Sequence, residues 1–276
     1  MKQKKIIFRD QEIVEFCKAT KDTNEIHDPD FMKKMGKRII VPGMFALSCT
    51  LNLEARHLKT RANFIKVLFN SLLSSGDFAT LCTALNPNDP YEVRLSAINH
   101  KDTLTSKNEY TRMSRVDSGF DSHFDGIPRR LSLDPKQVQT FKGLVGITDP
   151  DISNFLFAVS YASQALLSGI DNPETDVELE IDHLINGNSK ISPFYHSLEI
   201  QIPQPFPVFT PGNSIDYCIH FERIKADKLY TAHVRCESEG VKIFSSRYKL
   251  VGIPDNIIFR MAKDAHPGKS KIPDSY

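Results

Sequence analysis

The feature that most constrains the fold is one order of hydrophobic patterns that occurs twice along the chain. In the first half, residues 44–58 form a long apolar segment without glycine or proline, which is typical of a buried helix. Apolar residues then alternate with a period of two, which predicts β-strands. The predicted strands of this half are 64–69, 79–85, 92–99 and 109–114.

The second half repeats that order, with a predicted buried helix over about 152–167. Its predicted strands are 195–202, 214–222, 229–237 and 241–251. Gly76 and Gly212 occupy matching turns about half the chain apart, which indicates an internal duplication. A helix wrapped by an antiparallel sheet, twice over, is an α+β arrangement. The predicted organisation is an N-terminal unit (1–115), a polar linker (116–133), a C-terminal unit (134–254) and a tail (255–276).

Composition excludes several classes of protein. The 276 residues carry a formal net charge of +1, which argues against nucleic-acid binding through phosphate neutralisation. The five cysteines form no C-x-x-C pair, so we expect a reducing compartment and no zinc site. The apolar run at 6–8 is too short for a signal peptide, and no segment approaches the ~20 apolar residues of a membrane span. We therefore expect a soluble, cytoplasmic protein.

Residues 21–45, KDTNEIHDPDFMKKMGKRIIVPGMF, carry the chemistry. Asp22, Asn24 and His27 lie within six residues in a predicted loop between helices. A carboxylate and an imidazole this close can share one water, and histidine can take or give a proton near neutral pH. Pro42-Gly43 then begins the predicted buried helix. The free amides and positive dipole end of such a helix start can polarise a carbonyl oxygen.

The pattern D-x-N-x-I-H, followed by I-V-x-G-M and a long helix, resembles the hydratase motif of the MaoC-like enoyl-CoA hydratases over about residues 16–51. The resemblance implies a double hotdog, in which two long central helices are each wrapped by an antiparallel sheet. It also implies reversible hydration of a trans-2-enoyl thioester, giving a 3-hydroxyacyl thioester. The thioester is carried by CoA or by acyl carrier protein.

By that resemblance, the catalytic residues are Asp22 and His27, which hold and activate the water, and Gly43, whose amide binds the thioester oxygen. The predicted substrate-binding residues are Asn24, Val41, Met44 and Ser48. No metal or redox cofactor is implied, since CoA or phosphopantetheine belongs to the substrate. The chain departs from the usual family pattern at three supporting positions, which are Lys21, Glu25 and Pro42.

In the second half the matching loop is 147–153, and no histidine follows Asp149. This half is therefore predicted to have lost the site and to help enclose the acyl chain. Since one chain already supplies two units, a monomer and a homodimer both remain open.

Plainer interpretations exist for the same residues. An isolated D-x(4)-H is usually a loop cap, and Ser48 fits a helix residue packed against the sheet. Two other functions share the expected fold: a hotdog thioesterase, and a non-catalytic acyl-binding or assembly subunit. The chain has no G-x-S-x-G, P-loop or G-x-G-x-x-G motif, so serine hydrolases, nucleotide kinases and dinucleotide oxidoreductases have no support.

Overall fold

The computed structural model describes residues 2–69, 72–86, 89–99, 106–114, 126–170, 191–209, 214–223 and 229–262. The helices are α1 (Asp10–Thr20), α2 (Pro29–Lys34), α3 (Gly43–Asn52), α4 (Ala55–Thr60), α5 (Pro135–Val145), α6 (Pro150–Ile170) and α7 (Asp255–Met261). The strands are β1 (Gln3–Ile7), β2 (Phe64–Phe69), β3 (Phe78–Asn86), β4 (Asp89–Asn99), β5 (Ser106–Ser114), β6 (Ile127–Ser132), β7 (Ile191–Gln201), β8 (Ser214–Arg223), β9 (Leu229–Ser238) and β10 (Val241–Pro254).

All ten strands join one antiparallel sheet in the order β1-β3-β4-β5-β2-β7-β10-β9-β8-β6. From one edge the sheet runs β1-β3-β4-β5-β2, and from the other edge it runs β6-β8-β9-β10-β7. The strands of the second half therefore follow the same order as those of the first. The halves meet at β2 and β7, where Ile65 pairs with Ile200 and Val67 with Leu198. These four side chains are fully buried, so the seam between the halves is part of the core. The predicted α+β class and the repeated order of elements are confirmed.

The central helices α3 and α6 pack against one face of this sheet. Both are apolar along most of their length, which is what a helix enclosed by neighbours requires. Phe45 of α3 stacks on Phe16 of α1, with ring centroids 4.5 Å apart. In the second half, Phe157 of α6 meets Phe141 of α5 at 5.4 Å. The two halves therefore fill equivalent places in the core with equivalent aromatic pairs.

The structure corrects three expectations. Part of the predicted linker is wrong, because β6 lies within 116–133 and pairs with β8. The predicted single helix over 44–58 is wrong, because α3 ends at Asn52 and α4 begins at Ala55. Glu54 sits at this break, and its carboxylate accepts hydrogen bonds from Thr83 and Lys2. Strand β1 was not predicted; it is a short, lysine-bearing edge strand paired with β3.

Other expectations fall partly outside the described residues. These are the turn around Gly212, the linker at 116–125 and the tail beyond 262. Within the described part of the chain, no helix is long and apolar enough to cross a membrane. The same residues hold no group of three or more side chains suited to bind a metal ion.

Candidate functional site

The loop after α1 is shaped by local hydrogen bonds. The helix ends at Lys21, which has the left-handed φ of 53°, and the Asp22 amide donates back to the Cys17 carbonyl at 2.9 Å. Oδ1 of Asp22 accepts from the Asn24 amide at 3.1 Å. Asn24 in turn caps the short 3₁₀ turn Glu25–His27 by accepting from the Ile26 amide. Asn24 thus braces the loop.

His27 is buried at the end of this turn, with 9% of its side chain exposed. Its Nδ1 lies 2.7 Å from the Ile40 carbonyl oxygen. A carbonyl can only accept, so Nδ1 carries the proton and the neutral ring keeps its lone pair on Nε2. Nε2 lies 3.8 Å from Oδ2 of Asp22, whose side chain is 13% exposed. The two predicted proton-handling groups therefore face each other in a largely enclosed space.

The segment that carries the Ile40 carbonyl is held by backbone hydrogen bonds on both sides. The Ile40 amide donates to the Ile26 carbonyl at 3.1 Å, which closes the loop around His27. On the other side, Ile40 forms an antiparallel bridge with Ser74. The imidazole is thus oriented by backbone that is itself hydrogen-bonded to two other parts of the chain.

A buried ion pair reinforces this attachment. Arg38 Nη2 lies 2.7 Å from Oδ1 of Asp77, and the Asp77 side chain is fully buried. Oδ2 of Asp77 accepts from the Ser74 amide at 3.3 Å, in the turn that pairs with Ile40. Asp77 directly follows the turn glycine Gly76 in the sequence. Its contact with Arg38 joins residues far apart in the chain, which no local pattern indicates.

Helix α3 begins without a side-chain cap, because Pro42 occupies the N-cap position. The Phe45 and Ala46 amides donate to the Pro42 carbonyl, at 3.0 and 3.3 Å. The amides of Gly43 and Met44 have no acceptor among the described residues. These two donors and the positive end of the helix dipole make this start a site where a carbonyl oxygen can bind.

Gly43 allows a close contact that the sequence did not reveal. A Cβ at this position would lie 2.9 Å from Cε1 of Phe69 and 3.1 Å from Cδ1. The glycine therefore makes room for an aromatic ring at the end of β2. Phe69 thus lies in the space that the missing side chain leaves.

Val41, Met44 and Ser48 are the other residues that the sequence predicts to bind substrate. Val41 and Met44 are buried in the main core cluster, beside Gly43 in the chain. Ser48 lies one turn further along α3, and its hydroxyl is 3.1 Å from the Ser160 hydroxyl of α6. Ser48 is thus buried between the two central helices, whereas the plainer interpretation had it packed against the sheet.

The thiol of Cys17 lies near Asp22 but is unreactive. Burial raises the pKa of the Cys17 thiol far above its ordinary value, and the negative charge of Asp22 raises it further. Since the thiolate is the nucleophilic form, this cysteine stays inert at neutral pH.

The corresponding helix start in the second half is closed. Oδ1 of Asp149 accepts from the Asp151 amide at 2.9 Å and from the Ile152 amide at 3.3 Å. Lys59 bridges Asp149 and Asp151, at 3.0 and 2.7 Å. Side chains of the protein thus take the place that a ligand would need at this end of α6.

No family model matches the sequence, and no curated protein matches it. In structure, it matches a protein described as a MaoC-like dehydratase, with a TM-score of 0.55 and 8% identity, over 90% of this chain and 97% of the other. The chain has the hotdog fold of the MaoC-like dehydratases. The resemblance inferred from the sequence is thereby confirmed for the fold.

Two further solved structures are similar. A bifunctional dehydratase-cyclase domain in ambruticin biosynthesis matches with a TM-score of 0.55 and 9% identity, over 81% of this chain and 86% of the other. HtdX from Mycobacterium tuberculosis has a TM-score of 0.48 and 9% identity, over 92% of this chain and 100% of the other. At these identities the likeness concerns the fold, so the activity must be argued from the site.

Proposed function

We propose that the chain is a double-hotdog hydratase/dehydratase that reversibly adds water to a trans-2-enoyl thioester, giving a 3-hydroxyacyl thioester. One observation carries the proposal: Nδ1 of His27 is held by the Ile40 carbonyl while Nε2 faces Asp22 at 3.8 Å. That arrangement leaves a base and a carboxylate oxygen directed at the same small space.

The spacing suits a water between the two groups. It exceeds a direct hydrogen bond, but a water at roughly 2.8 Å from both Nε2 and Oδ2 fits it. Oδ1 of Asp22 already accepts from the Asn24 amide, so Oδ2 is the oxygen left to orient the water. The neutral ring accepts the proton of that water, and the carboxylate stabilises the imidazolium that results.

The open start of α3 supplies the complementary electrophilic group. Its Gly43 amide, with Met44 beside it, donates to the thioester oxygen as negative charge develops there. Ile40, whose carbonyl holds His27, lies three residues before Gly43, so the chain keeps the Cα atoms of Ile40 and Gly43 within about 11 Å of each other. Loss of one such donor typically lowers the rate by about 10²–10³.

In the hydration direction, the water oxygen bonds to Cβ as its proton passes to Nε2 of His27. The π electrons of the double bond move towards the thioester oxygen, where the Gly43 amide stabilises the enolate. The imidazolium then returns the proton to Cα on the same face. Atoms and charge balance without a redox cofactor, and dehydration is the exact reverse.

We propose one site per chain. Asp149 caps the start of α6 and contacts Lys59, whereas the Gly43 and Met44 amides have no acceptor among the described residues, so we expect the second half to enclose substrate and not to convert it. The substrate handle is CoA or the phosphopantetheine of a carrier protein.

The test is loss of the enoyl-thioester absorbance with crotonyl-CoA, a longer trans-2-enoyl-CoA and a carrier-bound enoyl thioester. We expect turnover by the wild type and a loss of about 10²–10⁴ in His27→Ala. His57→Ala removes another buried histidine, in α4, and should retain activity. Binding without turnover would indicate the acyl-binding subunit, and release of free thiol would indicate a thioesterase.

A further inference from the structure

An aromatic side chain lies against the proposed oxyanion donor. Phe69 is half-buried at the end of β2, and its ring edge fills the space beside the Gly43 Cα. A thioester oxygen bound to the Gly43 amide therefore brings the neighbouring atoms of the substrate within contact distance of this ring. Phe69 was not among the residues predicted from the sequence, and the proton transfers above do not involve it.

Phe69 is the first of three aromatic rings that lead from Gly43 into the second half. Its centroid lies 6.0 Å from that of Tyr195 on β7. Tyr195 in turn lies 5.6 Å from Tyr248 on β10. Tyr248 is fully buried, whereas Phe69 and Tyr195 are partly buried. This aromatic row, Phe69, Tyr195 and Tyr248, thus runs from the site towards the interior.

The two arms of a thioester have opposite needs. The pantetheine arm is long and polar and must reach solvent or a carrier protein, whereas the acyl arm is apolar and gains by burial. The acyl arm therefore points inward from Gly43. On the inward side the aromatic row already occupies the space, and close-packed interiors yield little room without a cost.

We infer that Phe69 is a specificity-determining residue that, with Tyr195 behind it, restricts the substrate to short acyl chains. The inference rests on the proposed function, since it takes the thioester to bind at Gly43. A four-carbon chain ends beside the Phe69 ring. A longer chain requires that ring to turn away and Tyr195 to follow it.

The experiment measures binding of saturated thioesters, which cannot be hydrated, so turnover is not needed. Butyryl-, octanoyl- and dodecanoyl-CoA are titrated calorimetrically, below the concentration at which the longest forms micelles. We expect the wild type to bind butyryl-CoA at least tenfold more tightly than dodecanoyl-CoA. Phe69→Ala should bind dodecanoyl-CoA at least tenfold more tightly than the wild type does. Phe69→Leu, which keeps most of the core volume, should shift the preference in the same direction.

Phe221→Ala is the matched control, because Phe221 is a partly buried phenylalanine on β8, far from β2 in the sheet. It should leave the wild-type order of affinities unchanged. Equal or tighter binding of the long ester by the wild type would overturn the inference, as would a Phe69→Ala effect equal for all chain lengths. In either case, if the wild type still hydrated long enoyl thioesters, the proposed function would stand. Absence of binding to any acyl-CoA or carrier-bound ester would overturn both.

Discussion

The starts of α3 and α6 begin the central helices of the two halves, yet one is open and the other closed. A left-handed residue follows α1 in the first half, Lys21, and α5 in the second, Gly146. The chain then takes residues 22–42 to reach α3 but only residues 147–149 to reach α6. The longer segment carries Asp22 and His27, and the shorter one carries the cap, Asp149.

The difference lies in how each helix start is capped. A helix start offers free amides wherever it occurs, and the residue before it decides whether they stay free. Asp149 satisfies the amides of its helix, whereas Pro42 has no side-chain acceptor to offer. A closed start favours stability and an open start favours ligand binding, so the proposed site is expected in the first half.

The largest expected effect comes from removing the charge of the carboxylate in the open half. Asp22→Asn keeps an oxygen for the Asn24 amide but loses the charge that stabilises the His27 imidazolium. We expect kcat/KM for enoyl-thioester hydration to fall by about 10²–10⁴. Asp149→Asn is the matched change in the closed half and should keep full activity. Equal losses in the two variants would end the distinction between the halves.

The second effect concerns how the 22–42 segment is held. Asp77→Asn leaves the Arg38 guanidinium, 18% exposed, without its charged partner. Removing one member of a buried pair costs about 3 kcal/mol of unfolding free energy, measured by urea denaturation. Asp216→Asn breaks the exposed Arg130 pair on β6 and β8 and should shift the midpoint far less. Similar shifts in both variants would mean that the Arg38 pair does not anchor the segment.

The third effect compares two helical glycines. Gly43→Ala places a methyl 2.9 Å from the Phe69 ring, so ring or helix start must move. We expect an activity loss of about tenfold to a hundredfold, since small displacements of a reacting group are costly. Gly143 of α5 has open space around its Cα, so Gly143→Ala should stabilise by about 0.5–1 kcal/mol with activity unchanged. An active Gly43→Ala enzyme would argue against oxygen binding at this helix start.

Much of the fold could be predicted because its signals are local. The predicted strand 64–69 coincides with β2, and the predicted strands 229–237 and 241–251 correspond to β9 and β10. The doubled order of helix and strands then indicated the duplicated sheet. Local signals failed where distant residues decide the structure. Glu54 sits at a helix break and contacts Thr83, which lies on β3.

The residues of the candidate site also divide into those indicated by local sequence and those placed by contacts between distant residues. Asp22 and His27 could be paired from spacing alone, because both lie in one loop of six residues. Ile40, which fixes the tautomer, enters through its backbone carbonyl, a group that every residue carries. Phe69 reaches Gly43 from the end of a strand 26 positions later, and only the sheet topology brings them together. The contact between Asp22 and His27 was thus predictable, whereas the contacts of Ile40 and Phe69 with the site were not.

The smallest expected effect is a pH-dependent contribution of Asp149, in the closed half, to the free energy of unfolding. Burial acts to raise the pKa of Asp149, but hydrogen bonds from Lys59 and from the Ile152 and Asp151 amides outweigh it and hold the pKa below its ordinary value of 3.8. A carboxyl group whose pKa is depressed by folding stabilises the native state above its unfolded pKa. That contribution is lost as the pH falls through the folded value.

Asp149→Asn keeps a capping oxygen and loses only the charge, so it should cost roughly 1 kcal/mol or less at pH 7. The gap from wild type should begin to shrink as the pH falls below 3.8, where the unfolded state of the wild type takes up a proton. It closes only below the lower pKa of the folded state, where both proteins carry a neutral side chain at this position. Urea denaturation between pH 7 and pH 3 measures this difference in the free energy of unfolding. Gly143→Ala is the reference, because its difference from the wild type should not depend on pH. A gap of constant size would mean that Asp149 closes α6 by its hydrogen bonds alone, and that its charge plays no part in the contrast with α3.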